Sequence, residues 1–368
     1  MSFNQFGTLL TLSTFGESHG PCIGGVLDGL PANIHIELQA IQDALKARSP
    51  GDKGMSPRQE NDPITILSGL MHNTTTGAPL AFTIPNQDAK PSTYRNTQDI
   101  IRPGHANATY HHKYKTAHQQ GGGRASARET AIRVAAGAIC QHILNRFGTH
   151  VYAYLDSMGP ITQKMPWNHI TPELIKKSNF FCPDNDTFLN MQNHLATLQH
   201  TGDSCGGIVK FVIQSPPSGL GEPIYQKIEA QLAQGMMSIP ASKGFEIGRG
   251  FESTKMLGSE HNDQILNTQG QSKYNHAGGI LGGISNGDPI WGAVAFKPPS
   301  SIRLEQKTLD FNGQSTVLNF APPHRHDPCV AIRAVPVVKA MCQLVLCDLI
   351  LCHQSRNMNE PYTQPQST

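Results

Sequence analysis

The stretch that most constrains this chain is GGGRASARET, residues 121–130, which runs straight into IRVAAGAICQHILNRFG. Ile132, Ala135, Ala136, Ile139, Cys140, Ile143, Leu144 and Phe147 recur at steps of three and four, the spacing of one helix face. That spacing predicts a buried helix of about 22 residues, roughly 33 Å long at ~1.5 Å per residue. Gly148 stands at a C′-like position to end it. Ala135, Ala136, Gly137 and Ala138 leave room for another helix or a sheet to come close. At the other end three glycines free the backbone, and Ser126 and Glu129 stand in the S-x-x-E register of a capping box. Arg124, Arg128 and Arg133 surround this helix start. Backbone N–H groups with guanidinium groups beside them make an anion site, so a phosphorylated ligand is expected here.

The 368 residues can bury a large core, and no clean linker divides them. A single domain over residues 1–352 is expected, with a polar tail over 353–368 expected to be disordered. Charged residues make up only 15% and the net charge is +2, which argues against a nucleic-acid binder working through bulk positive charge. No run of about 18 apolar residues is present to span a bilayer, and no basic segment with a long apolar stretch opens the chain. No membrane association is expected, and cytoplasm is the expected compartment. The eight cysteines form no C-x-x-C pair, and several lie in apolar segments, as reduced core thiols do.

Residues 8–15, TLLTLSTF, alternate as a half-buried strand, and CIGGVLDGL follows as the next strand after the turn GESHGP. His19 in that turn reads either as a group presented for catalysis by a rigid frame or as a solvated loop histidine. Residues 37–48 read as a short amphipathic helix. The Pro/Gly-rich loop after it, flanked by Arg48 and Arg58, reads as a binding loop or as a solvent loop. Residues 62–86 read as two strands joined by a Thr/Gly-rich turn. RPGHANATYHHKYKTAHQQ sets His105 in a Pro-Gly turn. His111, His112 and His118 have no thiolate or carboxylate at ligand spacing, so no metal site is expected. Further on, strands are expected at HVYAYLDSMG, at GGIVKFVIQSPP as an edge, and at PIWGAVAFKPPSSI. Helices are expected at DTFLNMQNHLATLQHTGDS and from PIYQKIEAQLAQ to near Gly235, with Lys243 and Glu246 in a following turn. The glycine cluster SKYNHAGGILGGISNGD permits close approach of a flat or phosphorylated ligand without matching a Walker A or Rossmann motif. Asp327, in HRHDPCVAIRAVP, reads as the cap of a long apolar helix or as an acid or base beside a ligand.

In this order and spacing, FGESHG, RPGHANATY, GGGRASARETAIRVAAGAI, NHAGGILGGIS, KPPSSI and RHDPCVAIRAVP closely resemble the chorismate synthase family. The resemblance implies an α+β fold, a β-α-β sandwich with a helical core between antiparallel sheets, assembled as a homotetramer. It implies a carbon–oxygen lyase acting on phosphates, which eliminates phosphate 1,4-trans from 5-enolpyruvylshikimate 3-phosphate to give chorismate. This is the last step of the shikimate pathway feeding aromatic amino acid biosynthesis, and it requires reduced FMN without net redox change. His19 and His105 fall on the family's two catalytic histidines, and Asp327 on the aspartate that handles the proton at flavin N5. A histidine pKa near neutrality and a carboxylate beside the flavin suit those tasks. Arg124, Ala125, Ser126, Pro240, Ala241, Gly282, Lys297, Pro298, Pro299, Ser300, Ser301 and Arg325 fall on FMN-binding positions. Arg48 falls on an anion-binding arginine used for substrate, or for NADPH in members with a reductase activity. Arg128 and Arg133 are the expected partners of the substrate's carboxylates and phosphate.

The chain departs from the family pattern at Asn107, His118, Gln120, Ala125 and Pro240, and at Ala47, Ser49 and Gly54, where arginines are frequent. Each departure removes a charged or hydroxyl contact, and the last three bear on any NADPH interaction. Two other readings are an NADPH-dependent flavin reductase or hydride-transfer flavoprotein, and a nucleotide- or RNA-binding module. The missing arginines disfavour the first, and the near-neutral charge disfavours the second.

Overall fold

The computed structural model describes residues 3–49, 62–87, 99–115, 122–268, 270–320 and 327–356. Two five-stranded antiparallel sheets lie on either side of a pair of helices. The first sheet runs in the order Gln5–Phe6, Thr11–Gly16, Cys22–Asp28, Leu80–Pro85, Thr65–Ile66, and the second Ser242–Ile247, Ile290–Phe296, Gly207–Gln214, His150–Met158, Ile161–Thr162. Buried and half-buried residues alternate along Leu80–Pro85 and Ile290–Phe296, so each sheet turns one face to the helices. The helix Thr130–Leu144 lies on the first sheet, where Ile132 packs at Gly25, and the helix Ala331–Arg356 lies on His150–Met158 and Gly207–Gln214. This is the α+β sandwich that the resemblance implies.

The two helices pack closely on each other at Gly137. A Cβ placed there would stand 2.6 Å from the Cα of Ala340. Overpacking of this kind costs roughly 1–3 kcal/mol, against the ~1 kcal/mol that alanine gains over glycine as a helix former. Gly137→Ala is therefore expected to lower the midpoint of urea unfolding. A midpoint at or above wild type would mean that the helices can separate freely here.

Several elements differ from expectation. The inner helix is α-helical for only 15 residues, Thr130–Leu144, with 3-10 turns at Ala127–Glu129 and Asn145–Phe147. Its capping box does not close: Ser126 Oγ accepts the Arg128 N–H, while the Glu129 carboxylate accepts from Thr14 Oγ1 and Arg133 Nε. Tertiary partners have taken the side chain that the box needs. Gly207–Gln214 is a central strand, paired on both sides, because its prolines follow the strand instead of interrupting it. Lys243 and Glu246 lie on the strand Ser242–Ile247, not in a turn. Between residues 62 and 86 the first expected strand breaks into Thr65–Ile66 and a hairpin of Leu70–Met71 with Thr74–Thr75. Asn107–Tyr114 is a helix that buries none of its residues, so no apolar period announces it.

The C-terminal helix is long and apolar enough to cross a bilayer, contrary to the expectation of no such run, but 83% of its most apolar window is buried inside the protein. Its carboxylate Asp348 is also used internally, accepting N–H groups of Thr8, Leu9 and Leu10 at 2.9, 2.8 and 2.9 Å. That helix continues to Arg356, so the first residues of the expected tail are helical, and 357–368 lie outside the described residues. All eight cysteines are free.

Candidate active site

Six segments that are remote in sequence meet at one cleft of about 420 Å³. They are the end of the helix Leu38–Arg48, the turn around Gly104, the start of the inner helix, Pro240–Ala241 just before the strand Ser242–Ile247, the segment after Ile290–Phe296, and the approach to the C-terminal helix. The cleft brings together Arg48, His105, Ala125, Ser126, Arg128, Pro240, Ala241, Lys297, Pro298, Pro299, Ser300, Ser301 and Asp327.

One wall is a buried charge cluster. Asp62 divides its carboxylate, with Oδ2 3.8 Å from Arg48 Nη1 and Oδ1 paired with Arg128 Nη1. Arg48 and Asp62 are each only 1% exposed, so this cluster is shielded from solvent screening. Arg128 also donates to the Pro85 carbonyl at 3.0 Å and to Asn86 Oδ1 at 2.8 Å. The Asn86 amide in turn donates to the carbonyls of Glu17 and Gly20, the two ends of the turn that carries His19. His19 does not line the cleft, but its turn is tied to Arg128 through this one side chain. Asp327 Oδ2 accepts from Arg333 Nη1 at 3.0 Å, and Arg333 Nε donates to the Arg48 carbonyl at 3.3 Å. Asp327 is thus the ion-pair partner of an arginine one turn into the C-terminal helix, and that helix starts only at Ala331.

The facing wall is held by close backbone approach. Gly104 has φ 65°, and a Cβ there would lie 3.3 Å from Ser300 Cβ. Lys297 Nζ donates to the Gly104 carbonyl at 2.8 Å, and burial, then the charge of Lys243, push its pKa below that of an ordinary lysine. Ala241 joins this wall by accepting the Lys297 N–H at 3.0 Å. Arg102 Nη2 donates to Ser301 Oγ at 2.6 Å, with its guanidinium 5.2 Å above the Phe320 ring. His105 Nδ1 accepts the Asn107 N–H at 3.1 Å, so the neutral ring carries its proton on Nε2. Asn107 uses both ends of its amide, Oδ1 for the N–H groups of Arg102 and Ala108 and Nδ2 for the Ile100 carbonyl. An aspartate would have no donor for that carbonyl, so local bonding absorbs this departure from the family pattern.

Arg124 and Arg133 are placed elsewhere. They line a neighbouring cleft of about 860 Å³ with Tyr110 and Tyr114, which among the described residues shares Ala125 and Pro240 with the first. Arg124 is bonded to the Gly16 carbonyl, to Thr14 and to Asn4, and Arg133 to Glu129 and Ser238. Gly282 is exposed in the turn between Ile280–Leu281 and Ile284–Ser285 and lines neither cleft. Ala47 is exposed, and Ser49 Oγ lies 3.4 Å from Asp62 Oδ2. Arg325, Gly54, Arg58, His118 and Gln120 lie outside the described residues. The sequence reading did not single out Asp62, Asn86 or Arg333, because their partners stand at separations that no periodicity marks. The RPGH turn alone pointed at Arg102.

Arg48, Arg102, Arg128, Lys297 and Arg333 stand against the carboxylates of Asp62 and Asp327, leaving an excess of positive charge. With the hydroxyls of Ser126, Ser300 and Ser301 and the apolar surface of Pro298, Pro299 and Val330, this donor set fits a phosphorylated, carboxylate-bearing ligand and a flat ring beside it.

A family model described as chorismate synthase matches residues 10–351. A protein named chorismate synthase from Protochlamydia amoebophila (strain UWE25) is 47% identical over 368 residues, covering 98% of this chain and 100% of that protein. One of the same name from Synechococcus sp. (strain WH7803) is 45% identical over 358 residues, covering 96% of this chain and 98% of its own length. A solved structure titled as a crystal structure of chorismate synthase is similar with a TM-score of 0.74 at 29% identity, covering 94% of this chain and 92% of that one.

Proposed function

The chain belongs to the chorismate synthase family, and from that premise we propose that it eliminates phosphate from 5-enolpyruvylshikimate 3-phosphate to form chorismate in the cleft described above. The observation that carries this reading is the convergence of His105, Asp327, Lys297–Ser301 and the Arg48–Asp62–Arg128 cluster on one cleft with excess positive charge. Reduced FMN supplies, when bound, the electron density that lets phosphate leave an allylic carbon although the hydrogen lost is poorly acidic. Lys297, Ser126 and the Pro298–Ser301 segment are the residues to hold it, with Arg325.

The chain's own side chains do the rest. Arg48 and Arg128, oriented by Asp62, bind the anionic substrate and stabilise the charge that grows on departing phosphate. His105 offers its Nε2 proton to an anion in the cleft, and His19, whose turn Asn86 ties to Arg128, is the second catalytic histidine that the resemblance implies. Arg333 aims the Asp327 carboxylate, which takes up the transferred proton. Pro298, Pro299 and Val330 exclude water from one side. Arg124 and Arg133 act from the neighbouring cleft, where they hold the strand Thr11–Gly16 and the inner helix in place. We take the active form to be a cytoplasmic homotetramer of single-domain chains, with Gly282 among the FMN-binding residues that the resemblance implies.

Purified protein, chemically reduced FMN and 5-enolpyruvylshikimate 3-phosphate, mixed without oxygen, should release chorismate and phosphate in equal amounts. Release of neither would overturn the proposal. Replacing the chemical reductant by NADPH in a parallel sample reads out any flavin reductase activity.

A further inference from the structure

Immediately behind the cleft wall two thiols meet. Cys205 is 8% exposed and Cys329 1%. The Cys205 N–H donates to the Pro328 carbonyl at 2.9 Å, and Cys329 Sγ stands 3.7 Å from the Gly206 carbonyl. These reciprocal contacts set residues 205–206 beside residues 328–329. The neighbouring Cys329 thiol lowers the Cys205 pKa, and Cys205, with burial, raises that of Cys329. Both cysteines sit one residue from groups that touch the cleft. Ser204 Oγ donates to the Pro299 carbonyl at 2.8 Å, and Val330 lines the cleft directly. Cys140 and Cys347, on the two central helices, are both fully buried and have no such neighbour.

We propose that Cys205 and Cys329 form a peroxide-sensitive thiol pair whose disulfide staples the Pro298–Ser301 wall to the approach of the C-terminal helix. The oxidant is hydrogen peroxide, which reduced flavin and dioxygen generate. Its supply at this cleft rests on the flavin reading above, while the thiol chemistry does not. The Cys205 thiolate attacks one peroxide oxygen, forming a sulfenic acid and releasing hydroxide. The Cys329 sulfur then attacks the Cys205 sulfur, forming the S–S bond, and the hydroxyl leaves with the Cys329 proton as water. Two thiols lose two electrons in all, and both peroxide oxygens end as water.

The test exposes the full reduced chain to hydrogen peroxide, blocks remaining thiols with an alkylating reagent under denaturing conditions, and maps the digest by mass spectrometry. The expected result is a peptide joining Cys205 to Cys329, the loss of two of the eight thiols, and full recovery with dithiothreitol. In Cys329→Ser, Cys205 should be trapped by dimedone as the sulfenic acid. In Cys205→Ser, Cys329 should remain alkylatable. The proposal is overturned if both cysteines stay alkylatable in the wild type, if Cys205 passes to sulfinic acid without joining Cys329, or if Cys140 and Cys347 join equally readily. A parallel anaerobic lyase assay should show loss of turnover after peroxide, restored by dithiothreitol, in the wild type but not in Cys205→Ser. Failure of the lyase reading would silence only this arm and leave the peptide map intact.

Discussion

Asp327→Asn is expected to lower turnover by roughly 10²–10⁴-fold, the usual contribution of a positioned proton-transfer group, while FMN binding and thermal unfolding stay close to wild type. The amide has the size of the carboxylate, and its oxygen can still accept from Arg333 Nη1, which stands 3.0 Å from Asp327 Oδ2. Arg333 therefore keeps its place, and with it the bond from Arg333 Nε to the Arg48 carbonyl at 3.3 Å. What the variant lacks is a carboxylate oxygen that can accept the proton transferred during the reaction. The two measurements are single-turnover chorismate formation with chemically reduced FMN and flavin affinity by fluorescence quenching. Turnover equal to wild type would remove Asp327 from the chemistry, and a parallel fall in flavin affinity would make its role one of binding.

The second large effect is on stability. Asp62→Ala leaves two buried guanidinium groups without the carboxylate they share, in surroundings where Arg48 is 1% and Arg128 4% exposed. Breaking a buried ion pair from one side costs about 3–5 kcal/mol, and the loss should appear as a lower denaturant midpoint with an unchanged slope. Because the variant creates an anion hole, inorganic phosphate should raise its midpoint more than that of the wild type. Wild-type stability in Asp62→Ala would mean that solvent reaches these arginines, and no differential response to phosphate would mean that they do not face an anion site. Asp62→Asn separates charge from shape, since it keeps the side-chain volume and loses only the negative charge.

Much of the fold was legible in the sequence because the responsible signals are local. The three- and four-residue spacing along Ile132, Ala135, Ile139 and Ile143 is the period of a helix, and it identified the inner helix wherever that helix would pack. The small residues Ala136 and Gly137 announced a close neighbour, and Ala340 is that neighbour. The ends of the helix were less legible. Ser126 and Glu129 carry the letters of a capping box, but Thr14 and Arg133 compete for the Glu129 carboxylate and win it. The central place of Gly207–Gln214 was not visible either, because a strand's own residues do not say how many neighbours it has.

The sequence by itself determined the chemical inventory of the site: arginines at a glycine-rich helix start, a histidine in a Pro-Gly turn, the KPPSS segment, and an aspartate before an apolar helix. The tertiary structure decided which of these meet. Arg124, Arg128 and Arg133 lie within ten residues of one another, yet only Arg128 enters the cleft. The reason is charge pairing at long range. Asp62 draws Arg128 inward, Glu129 holds Arg133, and the oxygens of Thr14, Gly16 and Asn4 fasten Arg124 to the first sheet. Each partner is set by how two sheets close over the helices, and nothing in the spacing of the arginines encodes that closure.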